Sequence, residues 1–179
     1  MSKKHYIITS ITLGAVAAVA AGVIGLTNFL TKDRIAHNEQ VKIEKGIKAI
    51  FGNDSEILDE FTISDSNYKY LVYGYSIKND DTGLNRFAIK TLGSNTYGKI
   101  SLIVGVSESS THNYMFTKFS VVVDEQSYAS TLEENYIEPV NDGSRQYIDV
   151  SCGATYGATL IKDMIDMTLS YASDVLGAE

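Results

Sequence analysis

Residues Asp149 to Thr159 read Asp-Val-Ser-Cys-Gly-Ala-Thr-Tyr-Gly-Ala-Thr, a carboxylate, several hydroxyls, one thiol and two glycines in eleven positions. They run into a stretch whose apolar residues include Leu160, Ile161, Met164, Ile165, Met167, Leu169, Tyr171, Ala172, Val175 and Leu176. Most recur at spacings of three and four, which predicts an amphipathic helix over 158–176. Asp149 to Tyr156 is then a loop feeding the N-terminus of that helix. Backbone N–H groups at such a terminus lack intrahelical partners, and the helix dipole favours negative charge. A phosphate suits that position, and the hydroxyl of Thr155 stands beside it. A tight turn with an N-cap explains Gly153-Ala154-Thr155 equally well.

The run from Asp149 to Thr155 resembles the Asp-x-x-Ser/Thr-Gly-Ala-Thr motif of the FMN-binding domain family. That family includes the G subunit of Rnf electron-transport complexes and the C subunit of sodium-pumping NADH:quinone reductases. The resemblance implies FMN joined by a phosphoester to the hydroxyl of Thr155, a modification installed by a separate flavin transferase. It implies a cofactor site formed by Thr155 with Asp149, Ser151, Cys152, Gly153, Ala154, Tyr156 and, from an earlier turn, Glu125. Cys152 stands where the family usually has Ser or Thr, and Gly157-Ala158 replace a common Thr-Ser pair.

Other chemistries find few residues to carry them. The single cysteine rules out an intrachain disulfide framework and a cysteine-based metal site made by this chain alone. His5, His37 and His112 are scattered, without carboxylates at ligand spacing, so a metal centre or a His-based triad is not expected.

The elements that must position Thr155 begin with an anchor. Tyr6 to Leu30 carries no charge and is rich in Ile, Val, Leu, Ala and Gly. As a helix it covers a hydrocarbon core of about 30 Å, and it exceeds the apolar core of a cleaved signal peptide. Lys3 and Lys4 precede it, while Lys32, Arg34 and Lys42 follow, so the positive-inside rule does not settle the orientation. All 22 acidic residues, but only 13 of the 15 basic ones, follow Leu30, which leaves that part at net −9. Such a domain is repelled by nucleic acid and by an anionic cytoplasmic leaflet. The expected placement is a single-pass protein of the cell membrane, N-terminus inside and domain outside. The expected organisation is residues 1–5 cytoplasmic, 6–30 transmembrane, 31–52 a helical stalk and 53–179 the FMN-binding domain.

Leu26-Thr27 through Ile35-Ala36 to Asn38-Glu39 is similar to the segment by which the same family leaves the membrane. Strands then dominate: Tyr68–Lys78, Arg86–Leu92, Lys99–Ser107 and Asn113–Asp124 are rich in β-branched and aromatic residues, with alternation clearest in the first. Asp80-Asp81-Thr82-Gly83 and Gly93-Ser94-Asn95 are the expected turns. Tyr97-Gly98-Lys99-Ile100 with Val104-Gly105-Val106 looks like a strand pair of the family. Where relatives have Glu-Thr-Pro-Gly-Leu-Gly, a turn that contacts flavin, this chain has Glu125-Gln126-Ser127-Tyr128-Ala129-Ser130 and keeps only the Glu. Ser130–Tyr136 is expected as a short helix, and Glu138 to Gly143 as a loop. The fold class is α+β: one transmembrane helix, then a single domain with an antiparallel sheet and a packed C-terminal helix.

Of the twelve tyrosines, Tyr68, Tyr70, Tyr73, Tyr75 and Tyr114 suit half-buried strand surfaces, whereas Tyr156 adjoins the Thr155 hydroxyl. Two function classes follow. The first, which the resemblance implies, is an extracytoplasmic electron carrier holding covalent FMN and exchanging electrons with other electron-transport subunits, rather than a stand-alone catalyst. The second is an anchored binding or assembly domain without a cofactor. Covalent flavin separates them.

Overall fold

The computed structural model describes residues 3–78, 83–110 and 113–178. The expected turn at residues 80–82 lies outside them. The chain divides into two compact units, Met1–Val41 and Lys42–Glu179.

In the first unit a single helix, α1 (Lys3–Phe51), begins near the N-terminus and continues into the second unit. Its apolar part reaches a mean hydropathy of 1.9 and has no buried residue, so it is long and apolar enough to cross a membrane. Large side chains such as Ile11, Leu13, Val16, Ile24 and Phe29 are exposed. Thr27 and Thr31 return their hydroxyls to the carbonyls one turn back, of Val23 and Thr27, each at 2.8 Å. That satisfies both hydroxyls within the helix.

The second unit is built on a five-stranded antiparallel sheet in the order β1-β2-β3-β4-β5: Ile57–Thr62, Leu71–Ile77, Arg86–Asn95, Gly98–Ser110 and Asn113–Asp124. Each strand pairs with its sequence neighbour, so the sheet is a meander. Strand β4 is buried on both faces. Ile100, Leu102 and Val104 pack with Ile161, Met164 and Ile165 of the last helix, α4 (Thr155–Asp174). Ile103 instead joins Ile43, Ile47 and Ile50 from the end of α1, with Tyr75, Ile77 and Ala88. The fold is thus α+β, as the sequence predicts, with the C-terminal helix packed on an antiparallel sheet.

Several boundaries differ from the sequence reading. Strand β2 starts at Leu71, because Ser66–Tyr68 forms a 3₁₀ turn whose Asp65 carboxylate accepts the Asn67 N–H at 2.9 Å. Strand β1 was not expected: it is a short, largely exposed edge strand in which Asp59 and Glu60 mask the alternation. Its Phe61 covers Gly74 across the pair, where an added Cβ would come within 2.2 Å of the ring.

Gly93-Ser94-Asn95 is not a turn but the end of β3; the two strands close on the pair Asn95 and Gly98. Gly93 marks a close approach of α4, since a Cβ there would meet Met164 Cε at 2.4 Å and Leu160 Cδ1 at 3.0 Å. After a turn over 125–128 the chain is helical from Ala129: α2 (Ala129–Leu132), a wide π turn over Glu133–Ile137, and α3 (Glu138–Asp142). The expected loop at Glu138–Gly143 is therefore helix until Gly143, whose φ of 84° ends it. Pro139 is tolerated in the first turn of α3, where an N–H is dispensable.

Candidate functional site

Helix α4 starts three residues earlier than its periodicity suggests. Ala154 is its N-cap, and its carbonyl accepts the N–H groups of Gly157 at 3.0 Å and Ala158 at 3.1 Å. Thr155 and Tyr156, expected in the loop, are therefore its first helical residues, because the first turn closes on Ala154. No side chain caps this end. The Gly157 N–H is taken by the Ala154 carbonyl, while no cap side chain covers the Tyr156 N–H.

The loop that delivers this terminus is fixed by its own polar groups. Asp149 accepts the Ser151 N–H at 3.2 Å, and its other carboxylate oxygen lies 3.9 Å from Arg145 Nε. Arg145 also donates to the carbonyls of Asp149 and Ser151, at 3.3 and 3.1 Å. Upstream, the buried Tyr136 donates its hydroxyl to the Tyr147 carbonyl. Burial, with Cys152 and Asp166 adding to it, holds that phenol well above its ordinary pKa, so it stays a donor. Cys152 points into the core beside Tyr136 and Val140. Gly153 then turns the chain with φ of 80°, a conformation that side chains other than glycine rarely adopt.

The facing wall is the β3–β4 connection and the turn after β5. Asn95 accepts the Tyr97 N–H at 2.8 Å and donates to the Tyr156 carbonyl at 3.1 Å, tying the hairpin to the start of α4. Ser127 donates its N–H and its hydroxyl to the Tyr97 carbonyl, at 2.9 and 3.2 Å. Gln126 donates Nε2 to the Gly98 carbonyl at 2.6 Å. Gly98, at φ of 141°, is obligatory, since a Cβ would stand 2.1 Å from the Glu125 carbonyl oxygen.

Between the walls lies a cleft of about 270 Å³. Gly153, Thr155 and Gly157 line it from α4 and its loop; the buried Leu132 and Gln126 line it from the other side. Its aromatic side is Tyr97, Tyr128 and Tyr156, which are 36, 56 and 69% exposed. The Tyr97 ring centroid is 5.8 Å from that of Tyr128 and 5.4 Å from that of Tyr156. No carboxylate, imidazole or ammonium group is among the described residues lining the cleft. The three rings and the exposed Thr155 thus border one open cleft.

Of the sequence-predicted residues, Gly153, Ala154, Thr155 and Tyr156 line this cleft together. Asp149 and Ser151 lie in the loop and shape it, Cys152 is buried behind it, and the Glu125 side chain is exposed while its backbone supports Gly98. Sequence reasoning missed Asn95, Tyr97, Gln126, Tyr128, Leu132 and Gly157 as site residues. The signal for two of them was present: Tyr97 and Tyr128 are tyrosines outside the alternating strand runs, where a buried strand surface does not account for them.

Neither a curated protein nor a solved structure matches the chain. Residues 1–50 match the family model of the RnfG N-terminal region. The match includes Leu26 to Glu39, where the family resemblance was read, and ends before the sheet and the cleft. Over those residues the chain is similar to the RnfG N-terminal region, and they include a helix long and apolar enough to cross a membrane.

Proposed function

We propose that this protein is a subunit of an Rnf-type electron-transport complex that carries FMN as a phosphoester on Thr155. The observation that carries the reading is the placement of the Thr155 hydroxyl. It is exposed, on the first residue of a helix without a side-chain cap, in the same cleft as three exposed tyrosines. The uncapped N–H groups and the positive end of α4 favour the phosphate. No lysine or arginine is among the described residues lining the cleft, so the backbone takes that role. FMN, when bound, supplies one- and two-electron chemistry, while the chain supplies attachment, orientation and exclusion of water. Asp149 and Arg145 keep the loop in shape, and Asn95 keeps the hairpin wall against α4.

In this reading residues 6–30 are a single-pass anchor with the N-terminus inside. The acidic domain faces outward, and its partners are a flavin transferase and neighbouring redox subunits. An ester-held flavin cannot diffuse away from a carrier outside the cell. The test is expression beside an active flavin transferase, followed by extraction from the membrane and flavin fluorescence in a denaturing gel. A fluorescent band at the size of the chain is expected, and protease added to protoplasts should digest the domain. A dark band leaves a cofactor-free assembly domain as the function, and full protection from protease overturns the orientation.

A further inference from the structure

One helical stretch grips the attachment loop at several points. Thr131 Cγ2 stands 3.6 Å from where a Cβ on Gly153 would be, and Leu132 Cδ2 stands 2.8 Å from one on Gly157. One turn on, Tyr136 lies in the wide π turn over Glu133–Ile137, in which it and its neighbour Ile137 are both buried. A regular helix face takes residues three and four apart, so the widened turn seats both, and such widening frequently marks functional sites. Tyr136 is fully buried and packs in the same core as Cys152, the residue before Gly153. Its hydroxyl donates to the carbonyl of Tyr147. One buried side chain thus holds the 147–152 segment at both ends. Tyr147 is braced in turn: its ring centroid is 5.3 Å from that of Phe116, and burial, followed by Asp166 on α4, raises its phenol above the ordinary range.

We propose that Tyr136 is a positioning residue for the modification of Thr155: its hydroxyl, tied to the Tyr147 carbonyl, holds residues 147–153 in the form that presents Thr155 at the start of α4. The inference rests on reading Thr155 as the modified residue; the hold on the loop rests on geometry alone. Tyr136 is not among the residues lining the cleft, so it acts through the loop and not on a ligand. The contacts of Arg145 with the Asp149 and Ser151 carbonyls, and of the Asp149 carboxylate with the Ser151 N–H, lie within the loop and fix its shape. The Tyr136 hydroxyl ties the middle of that shape to a neighbouring element. Without it the Tyr147 carbonyl loses this donor, and only a fraction of the loop's forms presents Thr155. The affinity of the transferase for the chain falls by that fraction, while the rate once bound is unchanged.

The experiment follows flavin attachment to the full chain in detergent by an active transferase, as initial rate against chain concentration. Hydrogen exchange of residues 147–153, read by mass spectrometry, runs beside it. Tyr136→Phe keeps the ring and removes only the hydroxyl. It should raise KM for the chain about three- to tenfold, the worth of one hydrogen bond, at unchanged kcat. It should also speed exchange in 147–153 while α4 keeps its protection. Val140→Ala trims the same core without touching that bond, so it should lower the melting temperature yet leave KM and loop exchange as in the unaltered chain. Parental KM and loop exchange in Tyr136→Phe, or an equal rise in KM with Val140→Ala, overturns the proposal. Should Tyr136→Phe not fold, exchange in the unaltered chain decides: opening of 147–153 together with 129–142 supports the hold, and opening of the loop alone overturns it. An unaltered chain that takes no flavin fails the Thr155 reading instead, and the exchange results then decide the hold on the loop by themselves.

Discussion

Two helices meet the sheet of the folded unit, and both approach closely through glycine, but to opposite ends. At the end of α1, Gly46 comes within 3.3 Å of Ile103 and Ser120, and Gly105 of β4 lies under Ile50 and Phe51. The space is filled, and Ile47 there is 1% exposed. At the start of α4, Gly153 and Gly157 line a cleft instead, bordered by exposed tyrosines and an uncapped helix end. The first contact serves stability. The second leaves stability unclaimed, as sites for ligands commonly do.

Substitutions sharpen this contrast. Ile47→Ala should cause the largest loss, about 2–5 kcal/mol from a cavity in a filled contact, read as a lower urea midpoint, with flavin attachment unchanged in the fraction that folds. Gly105→Ala should follow at about 1–3 kcal/mol, because its Cβ would stand 2.3 Å from Ile50 Cγ2 and 3.0 Å from Phe51 Cζ. On the cleft side, Gly157→Ala should change stability by no more than about 1 kcal/mol, since better helix propensity offsets the contact with Leu132. It should nonetheless lower flavin attachment beside an active transferase by narrowing the cleft. Equal stability losses on the two sides would break the comparison.

The smallest effect concerns Glu133. Burial, followed by the charges of Glu138 and Asp124, raises its carboxyl above the usual range. A carboxylate raised on folding binds its proton more tightly in the folded state, so it detracts from stability at neutral pH and ceases to do so as pH falls. Glu133→Gln should therefore stabilise slightly at pH 7, by no more than about 0.5 kcal/mol for so exposed a position. The gain should vanish below the unfolded-state value of about 4.3. Thermal melts across that range read it directly.

The sheet, the last helix and the membrane-length helix were legible because each buries or exposes a periodic apolar pattern. Gly153-Ala154-Thr155 was legible as a glycine turn into a helix start, while its role as an attachment site came from the family resemblance and not from the pattern. Strand β1 was hidden because an edge strand need not alternate, and Gly93 misled because a close helix approach and a turn select the same residue. The opposite wall of the cleft was hidden for a different reason. Tyr97, Gln126 and Tyr128 reach Thr155 only through the register of the β3–β4 hairpin and the Asn95 link to Tyr156, which no local pattern encodes.

The central claim is that the Thr155 hydroxyl carries FMN, and intact mass with in-gel flavin fluorescence tests it most directly. Beside an active transferase, the unaltered chain should carry one FMN, Thr155→Ala none, and Thr155→Ser a fraction. Thr155 is not the cap of α4, so Thr155→Ala should keep its stability within about 0.5 kcal/mol. Thr159→Ala, one turn further along the helix, should keep its flavin, while Gly153→Val should lose it by straining the φ of 80°. Flavin on Thr155→Ala equal to that of the unaltered chain, or none on the unaltered chain, contradicts the account.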